Sequence, residues 1–356
     1  MRIWIRPHVV VRSVVGRVLR QRRGAEVYKV TISASGASLV RLEKNFSFVL
    51  SPKAPYNFEL TVKKPAGWDL FTPFEVFEDG IMWTTLHIDG TLVGLKLRSV
   101  GETDSPRISV TAFLAREPDD KKETIAGLLM EKLGVNDELG RFYGFARRDS
   151  ILKHVVDDLY GMHDTLGGSV FDLAILTICL QMAPLKRSEQ MLECLVSKYG
   201  RVAEFDGRRV NAWPVPSEIS VVSTKELETR CRLGYRAKYV IQLAKILEGE
   251  AFLTLEELAR LPAEESKRRL MELPGIGDYS ADIINPRAGF PIDAWSVDVF
   301  GKLFFGREPK NARDAIERVK KEGIRRWGRW SWMAFFYVAQ DLENLSKKLS
   351  VKLRLQ

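Results

Sequence analysis

The chain has few of the residues that build metal sites and disulfide frameworks. Its 356 residues include only 3 cysteines and 4 histidines. Cys179, Cys194 and Cys231 are scattered and odd in number, which favours a reducing intracellular compartment. They are one short of the four thiolates that hold an iron–sulfur cluster, and the histidines lack metal-ligand spacing. The sequence therefore predicts no metal centre and no iron–sulfur cluster.

Long apolar runs are also missing. No segment approaches the roughly 20 apolar residues that a membrane-spanning helix needs, so we expect no membrane partner. The apolar fraction of 45% and the aromatic fraction of 10% are those of a soluble globular protein. A chain of 356 residues can form two or three units around a sizeable core.

Acidic residues are absent from residues 1–24, which contain seven arginines. The formal net charge of the whole chain is +9, but outside this segment 48 basic residues face 46 acidic ones. Global basicity is therefore mostly a property of a basic N-terminal extension, interpreted either as a phosphate-binding arm or as a poorly packed addition. The case for a polyanionic partner has to rest on local features.

Residues 25–115 are predicted to form an α+β domain built on an antiparallel sheet. Asp79-Gly80 and Asp89-Gly90 are hairpin-type turns, and the polar linker Arg116–Lys122 follows the last strand. The predicted strands share alternation or β-branched enrichment. They are Val30–Ser33, Phe46–Leu50, Phe58–Val62, Met82–Ile88, Leu92–Leu97 and Ile108–Phe113.

Residues 123–356 are predicted to be mainly α-helical, and the stretch Leu273–Ala281 organises them. Its sequence is Leu-Pro-Gly-Ile-Gly-Asp-Tyr-Ser-Ala. Glu264–Met271 before it has a helical pattern, which Pro274 ends because proline disfavours helical backbone in the preceding residue. Gly275 and Gly277 supply a tight turn, and a second helix follows, so the segment is predicted to be a helix-hairpin-helix. Such a turn exposes backbone N–H groups that suit a phosphate oxygen and read no base.

The segment after this hairpin resembles the helix-hairpin-helix–Gly/Pro–Asp superfamily of DNA base-excision glycosylases. Phe290–Trp295, Phe-Pro-Ile-Asp-Ala-Trp, places an acid in a Pro-x-Asp setting before a helix. The family's catalytic aspartate is carried over to Asp293. Asp298 is the alternative, since it lies 19 residues after Tyr279 and Asp293 only 14, and the longer gap is the commoner one. Asp293 is favoured because it alone has the preceding proline, whereas Asp298 would put Gly301 early in the helix.

Two further likenesses divide between branches of the superfamily. Leu133–Tyr143 resembles bacterial and archaeal 3-methyladenine DNA glycosylases, and Leu233–Val240 resembles the 8-oxoguanine branch. The resemblance implies a base-excision N-glycosylase, active on an alkylated purine or, alternatively, on 8-oxoguanine; a non-catalytic helix-hairpin-helix DNA-binding protein is a further alternative. It implies a monomer that binds double-stranded DNA containing a damaged base, in the cytoplasm and, if the source is a prokaryote, associated with the nucleoid. It also implies two helical subdomains with a cleft between them, and no cofactor except a monovalent cation bound by hairpin carbonyls.

The resemblance also assigns site residues. Phe171–Tyr199 is predicted to form two buried helices broken near Pro184, and in relatives this turn carries a side chain that fills the gap left by an extruded base. Arg236 and Lys238 are interpreted as phosphate contacts or as a solvated helix face, and Trp327 and Trp330 as ordinary packing. The candidate DNA-binding residues are Pro274, Gly275, Ile276, Gly277, Gln181, Met182 and Trp295. The candidate base-pocket residues are Tyr279, Phe335 and Ala339.

One departure from the family pattern concerns strand cleavage. In bifunctional relatives a hairpin lysine attacks the sugar, and the matching residue here is Tyr279. No lysine lies between Lys267 and Lys302. Schiff-base chemistry needs an amine nucleophile, so the resemblance implies a monofunctional glycosylase without AP lyase activity.

Overall fold

The structure, a computed structural model, describes residues 31–32, 38–63, 75–88, 90–117, 121–165, 168–249, 252–285, 289–307 and 312–353. The basic extension 1–24 and Asp89 of the second predicted turn lie outside these ranges. An N-terminal sheet region precedes a mainly helical region, which confirms the predicted fold class. No helix in the described ranges is both long and apolar enough to cross a membrane.

Nine strands are seen in the described residues, and they form two sheets of order β3-β7-β6-β5-β4 and β1-β2-β8-β9. The strands are β1 Thr31–Ile32, β2 Ser38–Arg41, β3 Lys44–Leu50, β4 Val76–Glu78, β5 Ile81–Ile88, β6 Thr91–Ser99, β7 Ile108–Leu114, β8 Arg201–Phe205 and β9 Arg208–Asn211.

Fifteen α-helices lie in the described residues. The sheet region contributes α1 Phe58–Lys63 and α2 Lys122–Lys132. The remaining helices are α3 Leu139–Ala146, α4 Val170–Leu180, α5 Leu185–Tyr199, α6 Pro216–Ile219, α7 Thr224–Arg230, α8 Arg236–Gly249, α9 Leu255–Arg260, α10 Ala263–Met271, α11 Asp278–Ile284, α12 Ser296–Phe305, α13 Ala312–Trp327, α14 Ser331–Gln340 and α15 Leu342–Leu349.

The five-stranded sheet is antiparallel throughout, as predicted. Asp79 and Gly80 both have positive φ angles, of 51° and 73°, and form the predicted hairpin turn between β4 and β5. One face of this sheet packs on α1 and α2 in a common apolar core. Helix α2 thus belongs to the core of the sheet, although it follows the predicted linker.

The predicted strand Phe58–Val62 is wrong, because this segment is helix α1. Its Phe-Glu-Leu-Thr-Val alternation imitates a strand, yet Phe58, Thr61 and Val62 are the buried residues, which is the spacing of a helical face. The Asn57 side chain accepts a hydrogen bond from the Leu60 N–H at 3.0 Å. This cap stabilises the first turn and was the sequence signal for a helix.

The four-stranded sheet joins the first two strands of the chain to a hairpin that lies between α5 and α6 of the helical region. Strand β2 pairs in parallel with β8, so that Ser38 lies opposite Arg201. Strands β8 and β9 form a hairpin that packs its Phe205 ring against Gly94 of the other sheet. A Cβ atom at Gly94 would lie 2.6 Å from that ring, so this position requires glycine.

The helical region packs around a large core to which α4 contributes most of its residues. Helices α4 and α5 are the two buried helices predicted from the sequence, and Pro184 caps α5. Phe290 and Phe300 meet edge to face, at 4.9 Å between ring centroids, and both contact Trp327. This aromatic cluster anchors the segment before α12 to the final helices.

A disulfide bond joins Cys194 of α5 to Cys231, which follows α7. The scattered spacing of the cysteines did not predict this pair, and the expectation of a purely reduced set is wrong for these two residues. Cys179 is free and buried in α4, where burial raises the pKa of its thiol to about 12.

Loss of this bond is expected to destabilise the helical region. The two cysteines are 37 residues apart in sequence, and closing a loop of that size restricts the unfolded chain by up to about 4 kcal/mol. Cys194→Ser should therefore lower the free energy of unfolding under oxidising conditions, measured by urea titration. Reductant should destabilise the wild type and leave this variant unchanged. Equal stability of oxidised wild type and variant would show that the bond contributes nothing.

Candidate DNA-binding and catalytic site

The predicted helix-hairpin-helix is confirmed in the structure. Helix α10 ends at Met271, and α11 begins at Asp278. Between them the Ile276 N–H donates to the Leu273 carbonyl at 3.1 Å and closes the turn. Gly275 has φ +81°, and a Cβ atom there would lie 2.9 Å from the Tyr239 side chain. Both its backbone angle and its packing therefore demand glycine.

Gly277 is the second glycine of the turn and lies where α11 begins. It is the N-cap of α11, it is exposed, and no atom lies within 4 Å of the point where its Cβ would be. The first amide groups of a helix have no intrahelical acceptor. The hairpin therefore presents backbone donors beside an open backbone surface, which suits the close approach of an anionic oxygen.

A network of ion pairs between two lysines and two aspartates, called here the brace, ties the two hairpin helices to α13. Lys267 of α10 and Lys320 of α13 each contact both Asp278 and Asp282. Burial raises the pKa of the Asp282 carboxyl, against the pull of the two ammonium groups. Burial opposes the charge on Lys267, yet the two carboxylates outweigh it and raise the pKa of this ammonium above its ordinary value. The brace fixes the hairpin and keeps Lys267 protonated.

Asp293 lies immediately before α12, where local hydrogen bonds hold its carboxylate. Oδ1 accepts from the Trp295 N–H at 3.1 Å and from the Ser296 N–H at 2.7 Å. The Ser296 hydroxyl also donates to Oδ1 at 2.7 Å and accepts from the Asp293 N–H at 2.8 Å. Oδ2 has no hydrogen-bond partner among the described residues. One carboxylate oxygen thus fixes the side chain, and the other is available.

The negative charge of Asp293 acts on Tyr279. Tyr279 lies in the first turn of α11 and packs against the helical core. Burial, and then the negative charge of Asp293, raise the pKa of the Tyr279 hydroxyl well above its ordinary value. The hydroxyl of Tyr279 therefore stays neutral.

The competing acid is placed differently. Asp298 lies in the first turn of α12 and is exposed, whereas Asp293 is half-buried. Val299 and Phe300 form the buried side of this helix. The two acids therefore differ in burial, and the choice of Asp293 as the catalytic residue stays a prediction.

The structure separates the two candidate wedge residues between α4 and α5. Met182 is 92% exposed and has φ +48°. Gln181 instead turns its amide toward the hairpin, where Nε2 donates to the Gly275 carbonyl at 2.6 Å and to the Ser280 hydroxyl at 3.3 Å. Of the two candidates, Met182 is the one that presents an apolar side chain to solvent.

Curated relatives of the chain carry names that fit this arrangement. A DNA-3-methyladenine glycosylase of Bacillus subtilis is 22% identical over 224 residues, which is 61% of this chain and 72% of that protein. A probable N-glycosylase/DNA lyase of Methanothermobacter thermautotrophicus is 22% identical over 289 residues, which is 75% of this chain and 88% of that protein. No protein-family model matches the chain.

The solved structures to which the chain is similar are also DNA glycosylases. The 3-methyladenine DNA glycosylase from Archaeoglobus fulgidus superposes with a TM-score of 0.69 at 23% identity, covering 86% of this chain and 100% of that one. The Clostridium acetobutylicum 8-oxoguanine glycosylase/lyase gives a TM-score of 0.62 at 19% identity, covering 86% and 99%. The chain is related to the helix-hairpin-helix–Gly/Pro–Asp DNA glycosylases.

The two predicted base-pocket residues of α14 are deeply buried in the structure. Phe335 is 8% exposed and Ala339 2%. The Phe335 ring stacks on Phe300 with centroids 5.3 Å apart and meets Phe290 edge-on at 5.6 Å. Phe335 therefore packs against Phe290, which lies three residues before Asp293. Its contact with a base stays a prediction.

Trp332 is a neighbour of the base-pocket candidate Phe335 that was not predicted from the sequence. Its ring stacks on Phe335 at 6.0 Å, and its Nε1 donates to Asp164 at 2.7 Å. The spacing of three residues between the two aromatics on one helix was the available signal. Trp327 and Trp330 pack in the core as predicted: Trp327 is 1% exposed, and Trp330 lies 5.6 Å from the ring of Phe142.

The interpretation of Arg236 as a phosphate contact or a solvated residue is not supported by this structure. Its side chain is 9% exposed, stacks on the Tyr235 ring at 4.6 Å and donates to the Gln181 carbonyl. Lys238 is exposed, as a solvated face requires. The sequence could not distinguish the two because both basic residues begin the same helix.

The one ion site predicted from the sequence is a monovalent cation bound by the hairpin carbonyls. Two of these carbonyls already accept hydrogen bonds, since Leu273 binds the Ile276 N–H and Gly275 binds the Gln181 amide. The cation stays a prediction. Within the described ranges, no three His, Cys, Asp or Glu side chains converge as a metal site.

Proposed function

We propose that this protein is a monofunctional DNA N-glycosylase that extrudes a damaged purine from duplex DNA and hydrolyses its N-glycosidic bond. The observation that carries the proposal is the Asp293 carboxylate, which the Ser296 N–H and hydroxyl hold through Oδ1 in the Pro-x-Asp segment after the hairpin. The names of the relatives support the same class of reaction.

The carboxylate suits the chemistry of base loss. Breaking an N-glycosidic bond develops positive charge on the sugar, and a preorganised carboxylate stabilises that charge. Oδ1 of Asp293 is held by the start of α12, so Oδ2 can face the sugar or orient the attacking water without reorganisation. Tyr279 provides an apolar neighbour that strengthens this electrostatic effect.

Reaching the bond requires the nucleotide to leave the duplex, because base stacking hides the reacting atoms. Met182 is exposed and apolar, as a side chain that occupies a vacated stack must be. The hairpin turn, with Gly277 uncovered, offers amide donors to the backbone phosphate. Trp295, half-buried and two residues after Asp293, would add an aromatic surface next to this carboxylate.

The proposal excludes lyase chemistry for two reasons. Tyr279 occupies the place of the lysine nucleophile, and a phenol forms no Schiff base. Lys267 of α10, before the hairpin turn, forms ion pairs with Asp278 and Asp282, and its pKa is raised, so it is not a free base. Product DNA should therefore keep an intact strand at the abasic site.

The preferred substrate is an alkylated purine. Such a base carries a positive charge, and the Tyr279 face can attract it by about 1–2 kcal/mol when desolvated. A cationic base also leaves without a general acid, and no such acid adjoins Asp293 among the described contacts. The 8-oxoguanine alternative rests on the relatives that act on that base.

The deciding experiment is single-turnover incubation with duplexes that each carry one lesion, followed by chromatography of the released base. We expect release of 3-methyladenine or 7-methylguanine and little release of 8-oxoguanine. The reverse preference would assign the protein to the 8-oxoguanine alternative. Binding without any base release would favour the non-catalytic DNA-binding alternative.

Borohydride trapping should give no covalent adduct with wild-type protein on abasic duplex DNA. The reason is that Tyr279 stands where bifunctional relatives have their lysine, and two carboxylates hold the Lys267 ammonium. Tyr279→Lys is the matched control, because it places an amine where bifunctional relatives have theirs. Denaturing gels should show an adduct for this variant only. A specific wild-type adduct would overturn the monofunctional assignment.

A further inference from the structure

The turn that carries Met182 is attached to two other parts of the fold. Gln181 is the C-cap of α4, and its side-chain amide donates to the Gly275 carbonyl at 2.6 Å. Its own backbone carbonyl accepts from the Arg236 guanidinium at the start of α8. One residue thus connects α4, the hairpin and α8.

The hairpin end of this connection is rigid. Gly275 packs so closely against Tyr239 of α8 that a Cβ atom would lie 2.9 Å from that side chain. The direction of the Gly275 carbonyl is therefore set by packing, and the Gln181 amide binds a fixed acceptor. Ser280 of α11 offers a second acceptor at 3.3 Å.

The other end supports an unusual backbone. Met182 has φ +48°, a left-handed conformation that a residue with a side chain rarely adopts. Such a conformation persists where surrounding contacts determine it. The Arg236 guanidinium is buried at the C-terminal end of α4, where the helix dipole favours a positive charge.

We propose that Gln181 is a positioning residue that locks the Met182 turn to the hairpin, so that the inserted side chain and the phosphate-binding amides meet DNA as one unit. This inference rests on the proposed function, since it concerns base extrusion. The Gln181 side chain does not itself enter the DNA duplex, because its amide is hydrogen-bonded to the hairpin. Holding the turn in place removes the entropy that a mobile loop would lose on insertion.

The test uses Gln181→Met, which keeps the length of the side chain and removes its hydrogen-bond donors. Insertion is measured by stopped-flow fluorescence of 2-aminopurine next to an abasic-site analogue, which requires no catalysis. We expect insertion to slow by about tenfold to a hundredfold, as loss of a part-buried hydrogen bond predicts. Tm should fall by only a few degrees, because the same hydrogen bond also contributes to the stability of the fold. An unchanged insertion rate would overturn the inference.

A double-mutant cycle with Met182→Ala separates positioning from direct insertion. If Gln181 acts through Met182, Gln181→Met combined with Met182→Ala should be no slower than Met182→Ala alone. Multiplicative losses would show that Gln181 acts independently, for example as a wedge of its own. That outcome contradicts the proposal.

Gln181→Glu provides a rescue that a purely structural role would not show. Its carboxylate can only accept, and it would face the Gly275 carbonyl at neutral pH. Protonation restores one donor, so insertion should recover toward the wild-type rate as the pH falls, each variant being compared with wild type at the same pH. Wild-type insertion without base release would refute the proposed glycosylase activity and leave this inference standing; absent wild-type insertion would refute the inference.

Discussion

Asp293→Asn is expected to reduce single-turnover base release by about a thousandfold or more. The amide keeps an oxygen for the Ser296 hydrogen bonds, so the start of α12 should remain folded. It supplies no negative charge to the sugar, and loss of one preorganised electrostatic group costs on the order of 10²–10³ in rate even when others remain. Affinity for lesion duplex should be equal or higher, because a charge that repels phosphate is removed.

Asp298→Asn is the matched control for this change. Asp298 is exposed in the first turn of α12, five residues after Asp293, so its substitution should alter the rate only slightly. An inactive Asp298→Asn together with an active Asp293→Asn would move the catalytic role to Asp298. Both rates are compared at saturating protein, so that binding does not enter.

Gly277→Asp is expected to weaken duplex binding by about a hundredfold while leaving the fold intact. The position is open, with φ −104° and no atom within 4 Å of a built Cβ, so a side chain is tolerated in the free protein. In the complex the same side chain would occupy the path of the phosphate and repel it, and each tenfold loss corresponds to about 1.4 kcal/mol. Fluorescence anisotropy measures affinity, and thermal unfolding measures stability.

Gly275→Ala distinguishes structure from binding at the same turn. Its positive φ and the contact with Tyr239 should cost about 2 kcal/mol of stability or more, and Tm should fall. Gly277→Ala should keep its Tm and lose part of its affinity. If Gly277→Asp binds as tightly as wild type, the hairpin is not the phosphate site.

The hairpin could be predicted from the sequence because its determinants are local. Pro274, Gly275 and Gly277 specify the turn through backbone geometry within a few residues. The break between α4 and α5 follows equally from Pro184. The choice of Asp293 had a local basis too, and the structure adds the hydrogen bonds to Ser296 that hold its carboxylate.

Other features depend on partners distant in sequence. The alternation of Phe58–Val62 matches a strand, and only packing on the sheet shows that its buried residues follow a helical spacing. The hairpin of β8 and β9 was overlooked although Asp206-Gly207 is a typical turn, and no local signal indicates that β8 pairs with β2. Likewise, the spacing of Cys194 and Cys231 gives no sign that α5 and the end of α7 bring them together.

The parallel pairing of β2 with β8 bears on how the protein can be divided. A fragment beginning after the linker would leave β8 with an open edge and would uncover Phe205, Ala203 and Val210, which now pack beneath the other sheet. Unpaired edges beside apolar residues are sites of self-association. The helical half is therefore not a transferable catalytic module, and the smallest piece suited to domain fusion or exchange with a relative begins no later than strand β2.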